Sequence, residues 1–369
     1  MNSSTLSARP LNGALKVFFR DAVRVAFGRP KQAAAFIRFL WRLRRSARIR
    51  ADWQRRGVQV PPIIIYSVTD RCNLTCQGCY AQSFPHAPNS ELSAEDMRRV
   101  FQEARDLGVS FFVLAGGEPL LRPELAGILA EFPEFIFLVF TNGLLLTDEW
   151  LTVLRRQPHI VPLLSLEGDR DMTDGRRGPG TYDRVLTMFG RLKRRGVFFG
   201  TSLTLTRTNF ATVTSTGFTR DLVGAGVKFF LYLEYTPTVA GTEALVLAPD
   251  QRSAMPDILG SLRAGHPALF IAVPWDEDDV GGCLAAGRGF IHINAAGAVE
   301  PCPFAPFSDV SLRDKPLREA LRSSLLADIR SRPELARETG GGCILWKERE
   351  LVTSLLRQDP QAVSAPSQQ

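Results

Sequence analysis

From residue 62 to residue 235 the chain alternates short apolar runs with stretches of helical periodicity, and few folds accommodate that alternation. The runs 62–68, 111–115, 135–141, 161–167, 198–205 and 228–235 read as strands. The stretches 93–108, 123–131, 147–156, 181–195 and 211–225 read as helices between them. Ser90–Glu91–Leu92–Ser93 offers capping chemistry ahead of the first helix, and Gly108, Gly196 and Gly226 stand where a helix ends in a left-handed residue. Strand–helix units in series require parallel strands with right-handed crossovers. The expectation is an α/β fold whose reactive residues sit at the C-terminal ends of the strands.

A chain of 369 residues has room for one large α/β unit and a smaller one. No apolar run reaches the roughly 18 residues that a membrane-spanning helix needs, and the N-terminus lacks the order of a secretory signal. Six cysteines, three of them clustered, point to a reducing compartment and metal ligation, so a cytoplasmic protein is expected. The charge is uneven: residues 1–57 carry 14 Lys/Arg against Asp21 and Asp52, a net of +12, and the remaining residues carry a net of −5. Residues 13–50 read as basic amphipathic helices broken near Gly28–Arg29–Pro30. Phe36, Ile37, Leu40 and Leu43 share one face of the second helix, and Arg38, Arg42, Arg45 and Arg48 line the other. Such a helix either packs on the body with a solvated arginine face or lies on an anionic membrane surface; no nucleic-acid-binding pattern accompanies it.

Cys72, Cys76 and Cys79 stand at spacing C-x3-C-x2-C just after the run Ile63–Ile64–Ile65. A short loop of this kind turns three thiolates toward one point, enough for three irons of a 4Fe–4S cluster with the fourth iron open. Zinc is the competing ligand, although its knuckles pair C-x2-C units and close four positions. A disulfide fails on the odd count and the crowding.

The loop Tyr66–Tyr80 resembles the signature of the radical S-adenosylmethionine (radical SAM) enzymes, and the resemblance extends over about residues 60–240. It implies a six-stranded partial (β/α) barrel of TIM-like type. It also implies a cluster whose open iron binds S-adenosylmethionine, which is cleaved to a 5′-deoxyadenosyl radical that abstracts hydrogen from a substrate. Family members often carry an aromatic or large apolar residue where this chain has Gly78; Tyr80 is the candidate for covering the adenine instead. Ala115–Gly116–Gly117–Glu118–Pro119, at the end of the second strand, matches the family motif for the methionine amino group. The two glycines allow a close backbone approach, and the Glu118 carboxylate suits an ammonium.

Asn142 either hydrogen-bonds the cofactor or makes a turn. Period-2 alternation places Ser165 and Glu167 on one face, inward if Leu164 and Leu166 face the helices. The stretch is similar to an S-x-D-G signature in the subgroup that modifies peptides and tetrapyrroles, with Glu167 for the Asp; this makes Ser165 a candidate for the cofactor carboxylate or ribose. Asp174–Tyr182 is similar to that subgroup's Arg-Gly segment, and Arg177 either forks onto the methionine carboxylate or faces solvent. Thr206, Asn209, Glu234 and Tyr235 are candidates for the ribose or the substrate, with Glu234 and Tyr235 the candidate catalytic residues.

Three further cysteines, Cys283, Cys302 and Cys343, lie beside glycines or prolines, and Phe290–Glu300 reads as a hairpin that draws Cys283 toward Cys302. The arrangement resembles the auxiliary-cluster (SPASM/twitch-like) modules of radical SAM enzymes, which implies a second cluster, with His292, Glu300 and Asp309 as candidate fourth ligands. Structural thiols or a zinc site are the alternatives. His86, His159 and His266 are given no role.

The domain reading is a basic helical extension (1–57), a radical SAM core (58–240), a connection (241–282) with a helix near 249–263, an auxiliary module (283–357) ending in a helix near 346–357, and a disordered tail (358–369). The functional reading is a radical SAM oxidoreductase or maturase acting on a peptide or small molecule and fed by a donor such as flavodoxin or ferredoxin. The alternatives are an enzyme acting on a membrane lipid or isoprenoid, with peripheral contact through residues 13–50, and a non-catalytic iron–sulfur sensor.

Overall fold

The computed structural model describes residues 30–84, 91–278, 281–337 and 343–357. The first half of the expected basic extension, His86, the glycines Gly340–Gly341–Gly342 and the expected tail lie outside the described residues.

The expected strands form as β1 (Ile63–Thr69), β2 (Phe111–Gly116), β3 (Ile136–Thr141), β4 (Ile160–Leu166), β5 (Gly200–Leu205) and β6 (Phe229–Glu234), side by side and parallel in chain order. The sheet runs further than six strands. β7 (Leu269–Val273) pairs in parallel with β6. At the other end β8 (Phe290–Ile293) pairs in parallel with β1, and β9 (Val299–Glu300) closes an antiparallel hairpin on β8. The expected Phe290–Glu300 hairpin is therefore present, built onto the edge strand of the barrel.

The helices cover the outer face. Pro162, Leu163 and Leu164 alternate sides as a pleated strand must: Leu164 and Leu166 join the large core under the helices, and Val161 and Leu163 join Phe229, Leu231 and Leu269 in a second apolar cluster. Phe101 of the helix Ala94–Leu107 meets Phe112 and Phe137 edge-on at ring-centroid distances of 4.7 and 5.3 Å, locking that helix over β2 and β3. The helix opens with a reciprocal Ser93–Asp96 capping box and ends at Gly108 with φ of 86°.

Three features depart from the expectations. The stretch 241–282, expected as a connection with one helix, holds that helix at Pro249–Gly265 and also supplies strand β7; a five-residue run between Pro267 and Pro274 carries too little periodicity to be read as a strand. Arg170–Arg177 is a helix despite Gly175, because Asp169 caps it and Glu167 holds its last turn. The helix expected near 346–357 is split into Ile344–Lys347 and Arg349–Arg357.

Candidate active site

The C-terminal ends of the strands surround a cavity of about 170 Å³. Cys72, Cys76 and Cys79 all lie on its wall, together with Gly116, Gly117, Glu118, Asn142, Ser165, Arg177, Glu234 and Tyr235. The three thiols are neighbours and not a closed ligand set: among the described residues no three Cys, His, Asp or Glu side chains converge on one metal position. Burial raises the Cys72 and Cys76 thiols above the usual range, with Arg177 opposing the shift at Cys76.

The cysteine loop is held from three sides. A register irregularity between Ser67 and Thr69 releases the chain from β2, and Gly117 and Glu118 then donate their amides to the carbonyls of Thr69 and Arg71 at 2.7 and 2.8 Å. A Cβ on Gly117 would sit 2.0 Å from the Arg71 carbonyl oxygen, and one on Gly116 would sit 2.2 Å from that of Thr69. The close approach that requires these glycines is thus to the cysteine loop itself. On a second side, Gln77 and Arg176 exchange hydrogen bonds, Gln77 N to Arg176 O at 3.0 Å and Arg176 Nε to Gln77 O at 3.1 Å. On the third, Asn142 Nδ2 donates to Asn73 Oδ1 at 2.7 Å, and Asn142 Oδ1 accepts from Leu144 N at 2.9 Å. Asn142 makes its turn and tethers the loop with the same side chain.

Gly78 has a local explanation. Its φ is 66°, and an added Cβ would lie 2.4 Å from the Tyr235 hydroxyl. Tyr235, from the end of β6, occupies the space that a large residue at position 78 would need. Its hydroxyl is buried and has no hydrogen-bond partner among the described residues, while its ring lies 5.8 Å from the Arg176 guanidinium.

Glu118 is buried, and its carboxylate accepts from Leu120 N (3.1 Å), Thr141 Oγ1 (2.7 Å) and Asn142 N (2.8 Å). A carboxylate offers about four acceptor positions, so these three leave about one for a ligand. Burial raises the Glu118 carboxyl above the ordinary range, against those hydrogen bonds; an ammonium on the remaining position would favour the ionised form.

Arg177 does not stand free. Its Nε and Nη2 donate to Glu167 Oε1 at 2.8 and 2.5 Å, and Arg176 Nη1 donates to Oε2 at 2.6 Å, so both guanidinium groups share one buried carboxylate. Ser165 faces the cavity beside Ser202 Oγ at 3.2 Å. Glu234 receives Arg252 Nε at 3.1 Å, and Trp275 lies under that guanidinium. Thr206 and Asn209 instead tie two strand ends together: Asn209 Oδ1 accepts from Thr206 N, and its Nδ2 donates to the carbonyls of Glu167 and Thr204. Sequence reasoning missed Asn73, Thr141, Arg176, Ser202, Thr204, Phe140 and Phe304 around the site. Ser202 and Thr204 were within reach, since they repeat in β5 the period-2 alternation that singled out Ser165.

The second cysteine group centres on a buried thiol with two half-buried ones beside it. Cys302 is 6% exposed, and Cys283 and Cys343 pack against the core. A hydrogen bond with Cys343 and then burial hold the Cys302 thiol well above its ordinary range, and burial pushes Cys283 up to about 12. The three candidate fourth ligands are engaged elsewhere. His292 Nε2 lies 2.8 Å from Ser67 Oγ, and its Nδ1 lies 2.7 Å from Glu300 Oε2. Asp309 accepts from Ser323, Ser324 and Leu325 N at the start of the helix Ser324–Ser331. Tyr80 stands between the two cysteine groups: burial and then Cys79, Cys302 and Glu300 raise its hydroxyl, and its ring meets Phe304 edge-on at 5.2 Å.

The donor set fits an iron–sulfur site: three thiols on one cavity wall, a glycine-bound loop beneath them and an unpartnered hydroxyl above. Comparison with known proteins gives the same assignment. The sequence profile of the Radical SAM superfamily matches residues 66–213. An AdoMet-dependent heme synthase of Methanosarcina barkeri is 27% identical over 287 residues, 70% of this chain and 81% of the relative. Mycofactocin maturase MftC of Mycobacterium tuberculosis is 27% identical over 327 residues, 84% of this chain and 76% of the relative. Among solved structures, Streptococcus suis SuiB bound to S-adenosylmethionine superposes with a TM-score of 0.62 at 18% identity, covering 76% of this chain and 70% of that one. AnSMEcpe with bound AdoMet gives 0.59 at 17%, covering 75% and 84%. Residues 66–213 thus carry a Radical SAM domain, and over most of its length the chain is similar to synthases and maturases.

Proposed function

We propose that Cys72, Cys76 and Cys79 hold a 4Fe–4S cluster in the cavity and that Glu118 receives the amino group of S-adenosylmethionine beside it. The observation that carries this reading is the placement of all three cysteines on the same wall as a buried carboxylate with about one acceptor position to spare. When bound, such a cluster supplies the electron that cleaves the sulfonium to a 5′-deoxyadenosyl radical. The protein's own residues position and shield: Asn142 and Arg176 fix the loop, Tyr235 and Phe140 exclude water, and Ser165, Ser202 and Thr204 offer hydroxyls to a ribose or carboxylate. Arg177, paired with Glu167, acts as an electrostatic backing for Cys76 more than as a free fork.

For the substrate, the reading is a peptide side chain. The two cations on the cavity wall, Arg176 and Arg177, are both committed to Glu167, and the rest of the wall is largely apolar or neutral, with Phe140, Leu233, Phe304, Tyr80 and Tyr235. A tetrapyrrole bearing several carboxylates would call for uncommitted cations. The relatives include both kinds, a heme synthase and a peptide maturase, and the SuiB fold has been solved with its precursor peptide SuiA. Cys283, Cys302 and Cys343 are read as ligands of an auxiliary cluster in a module over 283–357, with the core at 58–240, the connection at 241–282 and a ferredoxin or flavodoxin as donor. Among the described residues no helix is long and apolar enough to cross a membrane.

The test is anaerobic reconstitution followed by dithionite and S-adenosylmethionine. Production of 5′-deoxyadenosine by the wild type and not by Cys72→Ala/Cys76→Ala/Cys79→Ala is the expected result; a wild type that binds iron and never cleaves the cofactor would return the protein to a sensor role. Faster turnover with carboxylated tetrapyrroles than with peptides would overturn the substrate reading alone.

A further inference from the structure

The helix Pro30–Arg55 has a docked face and a free one. On the docked face Phe39 meets Phe111 with ring centroids 5.7 Å apart, Arg50 Nη1 donates to Ser110 Oγ at 2.9 Å and Trp53 Nε1 donates to Asp106 O at 3.4 Å. Arg42 reaches the Pro133 carbonyl. All of these partners lie at or before the starts of β2 and β3, the end of the parallel sheet opposite the cavity. On the outer face Trp41, Arg44, Arg45 and Arg48 are all exposed. Their spacing of i, i+3, i+4 and i+7 puts them on one stripe about 10 Å long. Trp41 is 69% exposed, the one large apolar side chain that stands out in this way among the described residues. No acidic residue lies between positions 30 and 51 to neutralise the stripe.

We propose that this tryptophan–arginine ridge seats the protein on an anionic lipid surface and acts as a tether at the base of the barrel. Three observations select a bilayer. An indole prefers the headgroup region, where its ring is buried and its N–H stays wet, and arginine stems lie along the same boundary. The ridge is a convex helix surface, which suits a fluid charged plane and offers no groove to a folded partner. The charge is polarised, with eight Lys/Arg against Asp52 in the helix Pro30–Arg55 and a net of −5 over residues 58–369, so a negative surface attracts the helix and repels the body. Strands of six residues place the cavity on the order of 20 Å from that end. The cavity therefore opens away from the bilayer, and the ridge localises the enzyme without delivering a lipid to the cysteine loop.

The experiment is flotation of the full-length reconstituted protein with phosphatidylcholine vesicles with and without phosphatidylglycerol. Wild type is expected to float only with the anionic lipid and less at higher salt. Arg44→Ser/Arg45→Ser/Arg48→Ser is expected to weaken binding on the order of a hundredfold and Trp41→Ser about tenfold. Both variants should keep wild-type iron content, thermal unfolding and cofactor cleavage in solution. A wild type that stays at the bottom with anionic vesicles overturns the proposal, as do ridge variants that float like wild type. Ridge-dependent binding to soluble polyglutamate without vesicle binding overturns it in favour of an acidic polypeptide partner.

Discussion

The two cysteine groups use the same side chain in opposite surroundings. Cys72 is exposed and Cys76 and Cys79 are half-buried, in a loop without regular structure that opens on a cavity and is anchored only by polar contacts at its edges. Cys302 is buried in the apolar core, and Cys283 and Cys343 pack on that core, between β8–β9 and the C-terminal helices. The first arrangement admits a diffusing ligand; the second, with Cys302 in the core and Cys283 and Cys343 half-buried on it, is packed against apolar side chains. A site that must take up and release a cofactor each turnover needs the first. A site for an electron relay or structural metal tolerates the second.

The sharpest way to break that comparison is to delete each group in turn. Cys72→Ala/Cys76→Ala/Cys79→Ala should abolish cofactor cleavage and lower the iron content by about four of about eight. Cys283→Ala/Cys302→Ala/Cys343→Ala should lose a similar amount of iron and still cleave S-adenosylmethionine. Iron and sulfide assays with 5′-deoxyadenosine detection decide it. Cleavage lost equally in both variants would mean that the groups do not work separately.

Next in size is the buried ion-pair cluster that backs the first group. Glu167→Gln leaves Arg176 and Arg177 without their shared carboxylate, at a cost of about 3–5 kcal/mol; its unfolding midpoint should fall accordingly. A smaller effect is expected at Glu118. Glu118→Gln removes a charge-assisted contact of about 1.5–3 kcal/mol, a ten- to hundredfold weaker affinity for S-adenosylmethionine by equilibrium dialysis. The pH dependence has a definite sign. Burial raises the folded-state Glu118 carboxyl above 4.5, so the folded protein holds an extra proton between that value and its raised one. Stability from this group falls as pH rises through that window, while cofactor affinity rises as the carboxylate forms. Glu118→Gln should flatten both trends.

The smallest effect belongs to Tyr235. Its hydroxyl has no partner among the described residues, so Tyr235→Phe should leave stability within about 0.5 kcal/mol of wild type. A change in the electron paramagnetic resonance spectrum of the reduced protein, with stability intact, would place that hydroxyl against the bound cluster or cofactor. An unchanged spectrum and affinity would make Tyr235 a spacer that only excludes bulk at Gly78.

Much of this was legible in the chain because it is written in local patterns. The apolar runs at 62–68 and 111–115 read as strands of a parallel sheet, and the C-x3-C-x2-C loop with Gly116–Glu118 downstream carried the resemblance to the radical SAM family before any contact was known. Alternation put Ser165 on the face opposite Leu164 and Leu166, and with the leucines under the helices Ser165 faces the cavity. Side-chain pairing was not legible. Arg177 read as a cofactor fork with a solvent-facing loop arginine as the alternative, and its partner turned out to be Glu167, ten residues back. His292 and Glu300 read as spare metal ligands, and they bond to each other and to Ser67, 225 positions away from His292 in the sequence.

Sequence alone determined the six core strands, their parallel order and the spacing that sets Cys72, Cys76 and Cys79 in one short loop, since each depends on periodicity or spacing within a few residues. Tertiary structure alone decided that β8 joins β1, that Tyr235 fills the space above Gly78, and that one cysteine group faces a cavity while the other is gathered on the core around the buried Cys302. These depend on which surfaces meet after the chain has closed on itself, and no local pattern encodes the partner on the far side of a contact.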